Sequence, residues 1–397
     1  MKRTLFFSFC LMLSGIGFFG VGCGTQEAPP SRPWTWEAVP LSLPEDSRYP
    51  DLWIGDDGWK MSFTSMENDT LGRIFFLEQG GQAEKVAEGD RMFINWADFP
   101  RIFQADQGQT YLHWLEKNGS GTYAYGVKVA LQKAGQAAWT LLGSPHEQKT
   151  ETEHGFNSFF SLQGRPAMVW LDGREYAGDQ KAMSLRTAHF VTEAELSADT
   201  LLDPRICDCC QTGAVATEKG AVIVYRDRSE DEIRDVYRVA YDGTSWTEPA
   251  PVARDQWMIN GCPVNGPAVA SKGDEVVVAW FTQAENIARV KVAFSRDGGI
   301  TFGDPIVLDE EKAIGRVGVV WQQEQAWVSW LARKAEGAAV YLQGFSEGEA
   351  YGPVQEVVEM DPGRKSGFPI LRANATGLWL AYTEVGNALT VRLLRAK

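Results

Sequence analysis

Three features of this 397-residue sequence predict an all-β fold in which one small sheet is repeated around a ring. The composition carries 40 Gly, 18 Pro, 15 Trp, 11 Tyr and 20 Phe. Gly and Pro make turns, and aromatic side chains favour the pleated surface of a sheet. Short β-type runs, each with an aromatic residue near its end, recur at a nearly constant interval. No unit contains a 3.6-residue apolar period of helical length.

The runs are Lys60 to Thr64, Leu112 to Glu116, Val169 to Asp172, Val224 to Asp227, Ala279 to Thr282, Ser329 to Ala332 and Ala381 to Glu384. Their aromatics Phe63, Trp114, Trp170, Tyr225, Trp280, Trp330 and Tyr382 lie 51, 56, 55, 55, 50 and 52 residues apart. Each unit parses into four strands; in the fifth these are Gly266 to Ser271, Glu275 to Thr282, Ala288 to Ser295 and Phe302 to Leu308. Four strands repeated at this period are the signature of a β-propeller. The last unit has strands from Phe368, Leu378 and Leu389, then ends at Lys397 one strand short. A spare strand, Trp34 to Leu41, stands at the other end and resembles the fourth strands Ser245 to Val252 and Phe302 to Val307. The sequence therefore predicts one domain, residues 34–397, of seven four-stranded blades closed by the N-terminal strand; six blades is the competing count.

Residues 1–23 read as an export signal: Lys2 and Arg3, then an apolar run from Leu5 to Phe19 too short to span a bilayer. The run ends in Gly20-Val21-Gly22-Cys23-Gly24 and resembles a bacterial lipoprotein signal, which implies a lipid anchor on Cys23. An ordinary secretory signal is the alternative. Residues 24–33 then form a flexible tether, and the propeller is expected in the cell envelope, facing the periplasm or the cell surface. With 38 basic and 52 acidic residues the formal charge is −14, which argues against nucleic acid as a partner; a monomer is expected.

Ser295-Arg296-Asp297-Gly298-Gly299-Ile300-Thr301-Phe302 resembles the Asp-box of sialidases and related BNR-repeat propellers. Degenerate versions stand at Gln132 to Trp139, Tyr241 to Trp246 and Ser346 to Tyr351. The resemblance implies a hairpin lock between third and fourth strands, away from the usual active face, so these residues receive no chemistry. It also implies three arginines that hold a carboxylate, a Tyr/Glu nucleophile pair and an Asp acid. The family's Arg-Ile-Pro motif is replaced here by Arg101-Ile102-Phe103.

In a propeller the crossings from one blade's fourth strand to the next blade's first, and the loops between second and third strands, open on one face. Here those segments hold Asn95 to Pro100, Glu153 to Phe156, Cys207 to Thr212, Asn260 to Pro267, Gly315 to Val317 and Lys365 to Pro369. The loops add Asp172 to Glu175 and Arg226 to Ser229. Apart from Cys10 and Cys23, the only cysteines are Cys207, Cys209, Cys210 and Cys262, all on crossings of adjacent blades. In an oxidising compartment they are expected as disulfides; the alternatives are a thiophilic metal site for Zn or Cu(I), helped by His154 or Asp208, and a redox-active or vicinal disulfide.

Candidate catalytic residues are Asp98, Glu153, Arg174, Arg226, Asp227 and Arg316; candidate ligand contacts are Asn95, His154, Asp172, Asn265 and Lys365. Carboxylates facing each other across a funnel suit glycosidase acid–base work, whereas pairing with Arg174, Arg226 or Arg228 would make them loop struts. The expected function is a lipid-anchored propeller that binds a small ligand or thiophilic metal in its funnel. The alternatives are an exo-acting, sialidase-like glycoside hydrolase with a glycan ligand, and a non-catalytic protein-docking propeller.

Overall fold

Alternating apolar residues of each unit form the strands of an antiparallel four-stranded sheet, and seven such sheets make the ring. The computed structural model describes residues 33–397 except 56, 68–69, 147–149 and 177–180. The first six blades span 48–89, 102–143, 154–206, 213–251, 268–310 and 313–359, each with strands in sequence order from the axis outward; the seventh takes three strands from 370–396 and its outermost from Trp36–Val39. Two short 3-10 turns, Ala284–Asn286 and Arg364–Ser366, are the only helical segments among the described residues. No helix there is long and apolar enough to cross a membrane. The seven-blade count is the one the aromatic period predicts. The export signal and Cys23 lie outside the described residues.

The seven aromatics all sit on second strands and are buried, with Phe63, Trp170, Tyr225 and Trp280 fully excluded from solvent. They pack where blades meet: Trp170 and Met168 against Tyr111, Leu115 and Val127, and Trp280, Val276 and Val278 against Val222 and Val224. Four of the buried indoles find acidic acceptors. Trp114 donates to Glu116 (2.9 Å), Trp170 to Asp172 (2.8 Å), Trp280 to Asp255 (2.7 Å) and Trp330 to Asp309 (2.9 Å).

Trp36–Val39 pairs with the last strand, Trp36 opposite Ala396 and Val39 opposite Leu393, so both ends of the chain build the seventh blade. This closure was expected over Trp34 to Leu41. It is shorter because Pro40 has no N–H to continue the ladder. Proline has the same effect in the fourth blade, where the expected Ser245 to Val252 reduces to Ala250–Pro251. In the fifth blade the fourth strand is Ile306–Glu310, later than expected, because Ser295 to Phe302 is the turn. There Asp297 accepts from Thr301 N (2.9 Å) and Thr301 Oγ1 (2.6 Å), and Ser295 Oγ accepts from Gly299 N (3.0 Å). Gly315 to Val317 lies within the strand Ala313–Gln322, at a register shift, and not on a crossing.

Candidate functional site

The crossing Cys207 to Thr212 runs between the third and fourth blades and is fixed from both sides. Cys207 N donates to Arg226 O (3.0 Å), and Thr212 Oγ1 donates to Phe156 O (2.8 Å). Gln211 donates through Nε2 to Ala97 O (2.6 Å) and accepts from Gly266 N (3.0 Å), joining three crossings. A side chain at Gly266 would overlap the Gln211 backbone, so glycine lets the crossing that carries Cys262 lie against the one that carries the other three cysteines.

The four cysteines of the described residues are free thiols. Cys207 Sγ lies 3.7 Å from Cys209 Sγ and 3.9 Å from Cys210 Sγ, well beyond the disulfide bond length of about 2.05 Å, so the disulfide expectation is not met here. Those three sulfurs lie within 4.8 Å of one another, and Asp208, Cys209 and Cys262 form a second such group that shares Cys209. Cys207 and Cys210 are buried, Cys209 is partly buried and Cys262 is exposed. Adjacent crossings thus bring the four thiols together, as their spacing predicts.

Arginines surround this cluster. Arg234, 3% exposed, donates through Nη1 to Cys207 Sγ (3.2 Å) and Asp208 Oδ1 (3.4 Å), and through Nη2 to Glu232 Oε2 (2.7 Å). Contacts with the Cys209 and Cys210 sulfurs hold the Cys207 thiol well below the ordinary thiol range; Arg234 and Arg226 add to this, and burial opposes it. Burial, with Cys207 beside it, pushes the Cys210 thiol up. Contact with Cys209 lowers the Cys262 thiol as well.

A second group of ionisable side chains adjoins the thiols. Tyr125 donates its hydroxyl to Glu153. Burial pushes Glu153 up to about 8, with Asp208, Asp98 and Cys262 acting in the same direction against the Tyr125 hydrogen bond. Asp98 accepts from Phe156 N at 2.6 Å, yet burial pushes it up to about 7. Gly155 has no side chain because one would overlap the Asp98 carboxylate. His154 is fully buried, stacks on His146 (centroids 3.9 Å, planes 8° apart), and faces Asp172 Oδ1 at 3.4 Å through Nε2.

The remaining candidates are held by the fold. Arg174 is paired with Asp172 (2.7 Å) and Asp199 (2.6 Å). Arg226 donates to the carbonyls of Asn265, Arg234 and Phe281 and covers the Trp257 ring. Arg316 donates to Ser366 Oγ and to the carbonyls of Gly367, Pro362 and Gly363, between Trp96 and Phe368. These three arginines do not form a carboxylate clamp. Asn265 ties Arg226 to Arg316, whose N–H donates to Asn265 Oδ1 (2.8 Å). Asn95 caps its turn by accepting from Ala97 N (3.0 Å), and Lys365 is exposed. Asp227 is pushed up to about 7 by burial and by Asp203.

Sequence reasoning did not single out Arg234, Tyr125 or His146. Arg234 was within reach of it: the loop from Asp227 to Asp235 joins second and third strands of the fourth blade and must lie beside that blade's own cysteine crossing. An axial cavity of about 530 Å³ lies along the first strands, lined by Asp51, Arg101, Ser158, Gln211, Thr212 and Arg372 among others; none of the cysteines borders it.

No family model matches this sequence, and no curated protein matches it. Solved structures do. A family 25 polysaccharide lyase, an ulvan lyase bound to -[GlcA(1-4)Rha3S]-, superposes with a TM-score of 0.54 at 12% identity, over 90% of this chain and 95% of that one. An α-L-arabinofuranosidase of Fusarium graminearum gives 0.49 at 12% identity over 89% and 93%. The NanB sialidase of Streptococcus pneumoniae gives 0.46 at 10% identity over 90% and 71%. The lyase likeness establishes the shared propeller fold, and at this identity nothing beyond it.

Proposed function

We propose that this protein is a metal-binding propeller whose Cys207, Cys209 and Cys210 thiolates hold one thiophilic ion, with Cu(I) favoured over Zn(II). The observation that carries the reading is the sulfur triangle. A metal about 2.3 Å from each of three sulfurs separates them by about 3.8 Å in tetrahedral and about 4.0 Å in trigonal geometry. Cys207 Sγ stands 3.7 Å from Cys209 Sγ and 3.9 Å from Cys210 Sγ, and all three sulfurs lie within 4.8 Å of one another.

The donor set supports Cu(I). Structural zinc takes four ligands, whereas Cys262 does not join Cys207, Cys209 and Cys210 in one mutually close group. Three thiolates with no imidazole among them suit a soft monovalent ion. Three thiolates around Cu(I) leave net negative charge in a largely buried place, and Arg234 and Arg226 stand beside it to offset that charge. A lipid anchor at Cys23 would hold this site at the cell envelope.

The test is elemental analysis with thiol counting on protein purified without oxygen from its native compartment. About one copper per chain is expected, lost in Cys209→Ser. Four cysteines joined in two disulfides and no bound metal would sink the reading.

A second reading, glycan hydrolysis, is supported by Tyr125, Glu153 and Asp98, a hydroxyl–carboxyl pair and a further carboxyl that keep protons near neutral pH. Turnover of a fluorogenic sialoside that disappears in Asp98→Asn would favour it over the metal reading.

A further inference from the structure

The four thiols differ in access, and the difference runs in one direction. Cys262 is exposed, the residue Cys209 is partly exposed although its ligand atom is buried, and Cys207 and Cys210 are buried at 1% and 2% exposure. Cys209 belongs to both close groups, one with Asp208 and Cys262 on the outside and one with Cys207 and Cys210 on the inside. A metal at the inner triangle is thus connected to solvent through a chain of sulfurs, each within bonding range of an ion shared with the next.

We infer that Cys262 is the loading thiol: it takes Cu(I) from a soluble thiol or chelate complex and passes it through Cys209 to the buried triangle. This rests on the Cu(I) reading above.

The exchange needs no change of oxidation state. The Cys262 thiolate displaces one ligand from an incoming Cu(I) complex, and Cys209 displaces the next. Bonds to Cys207 and Cys210 form as the bond to Cys262 breaks. Copper remains Cu(I) throughout and the donor leaves intact. Cys262 recovers a proton from solvent, and each thiol that ends as a ligand has given one up.

Two features of the fold serve this path. Cys262 sits on a crossing of its own, separate from the segment that holds the inner triangle. It can therefore release the ion without disturbing the other three sulfurs. Arg234 contacts Cys207 and Asp208, at the inner and outer groups respectively, so positive charge accompanies the thiolates along the path.

The experiment is anaerobic transfer of copper from the bis-bicinchoninate Cu(I) complex to fully reduced protein, followed by loss of the complex's colour. Wild type, Cys262→Ser and Cys209→Ser are compared for rate and for end point. Cys262→Ser should reach the wild-type end point more slowly by about an order of magnitude or more, because the first attacking thiolate is then a less accessible one. Cys209→Ser should lower the end point itself. An unchanged rate in Cys262→Ser overturns the inference. A lowered end point in that variant also overturns it, since Cys262 would then be a permanent ligand. Failure of the wild type to take copper overturns the Cu(I) reading as well. Cys262 is exposed, and its serine variant is checked for the wild-type thermal midpoint before the rates are compared.

Discussion

Arg234 points one guanidinium nitrogen at the sulfur of Cys207, 3.2 Å away, in a place that solvent barely reaches. A charge-assisted donor beside a buried thiol favours the thiolate, which is the form that binds metal. Replacing Arg234 by Met should move the ultraviolet thiolate band to higher pH and weaken copper retention. Glu232 keeps Arg228 as a partner, so the fold should survive. An unshifted band would mean that the arginine only braces the loop.

Asp172 illustrates the opposite case, a buried carboxylate whose partners are all structural. It accepts from Trp170, from the Arg174 backbone and from two nitrogens of the Arg174 guanidinium, with the His154 ring alongside. Burial opposes ionisation, but the adjoining His154 ring and the Arg174 hydrogen bonds hold its pKa below the usual range. Asp172→Ala leaves the indole without its acceptor while Arg174 keeps Asp199, and should cost about 1–3 kcal/mol in urea unfolding. Loss of copper binding at temperatures where the variant remains folded would assign Asp172 to the site instead.

Asp98 sets a pH dependence. Its folded pKa is raised to about 7, above the usual aspartate value of about 3.9. The folded state therefore binds more protons than the unfolded state across that interval, and stability falls as pH rises through it. The contribution is fully present below about pH 4. Glu153, raised to about 8, acts in the same sense. Thermal midpoints should decline between pH 5 and 8, and Asp98→Asn, which can still accept from Phe156 N, should flatten the decline. A slope identical to wild type would place the effect elsewhere.

Ring closure depends on a short strand. Trp36–Val39 covers the last strand, Trp34 N donates to Gln355 Oε1 (2.9 Å), and the Trp34 ring meets Trp327 edge-on at 5.5 Å. Removing the segment up to Leu41 exposes the backbone of Leu389–Ala396, and an uncovered edge pairs with other chains. Light scattering on heating should show association well before the full-length protein associates. Equal behaviour would mean that the inner three strands suffice.

The fold was legible because its signal is redundant: seven buried aromatics repeat one packing problem at one period. Strand limits were less so wherever Pro40, Pro249 or Pro251 decides how far a ladder runs, since a period says nothing about single N–H groups. The thiol cluster was legible from topology, because crossings of adjacent blades must approach. Arg234 and Tyr125 were not, because the side chain that meets a thiol or a carboxyl depends on loop conformation. The arginines Arg174, Arg226 and Arg316 looked alike in sequence. Their partners, two aspartates for one and backbone carbonyls for the others, appear only in three dimensions.

The sulfur triangle is tested most directly by X-ray absorption at the copper edge of protein loaded anaerobically and passed through a chelating column. A monovalent edge, about one copper per chain, and an inner shell of three sulfurs near 2.3 Å are expected. Copper stripped completely by the column, or a shell of nitrogen and oxygen, would contradict it.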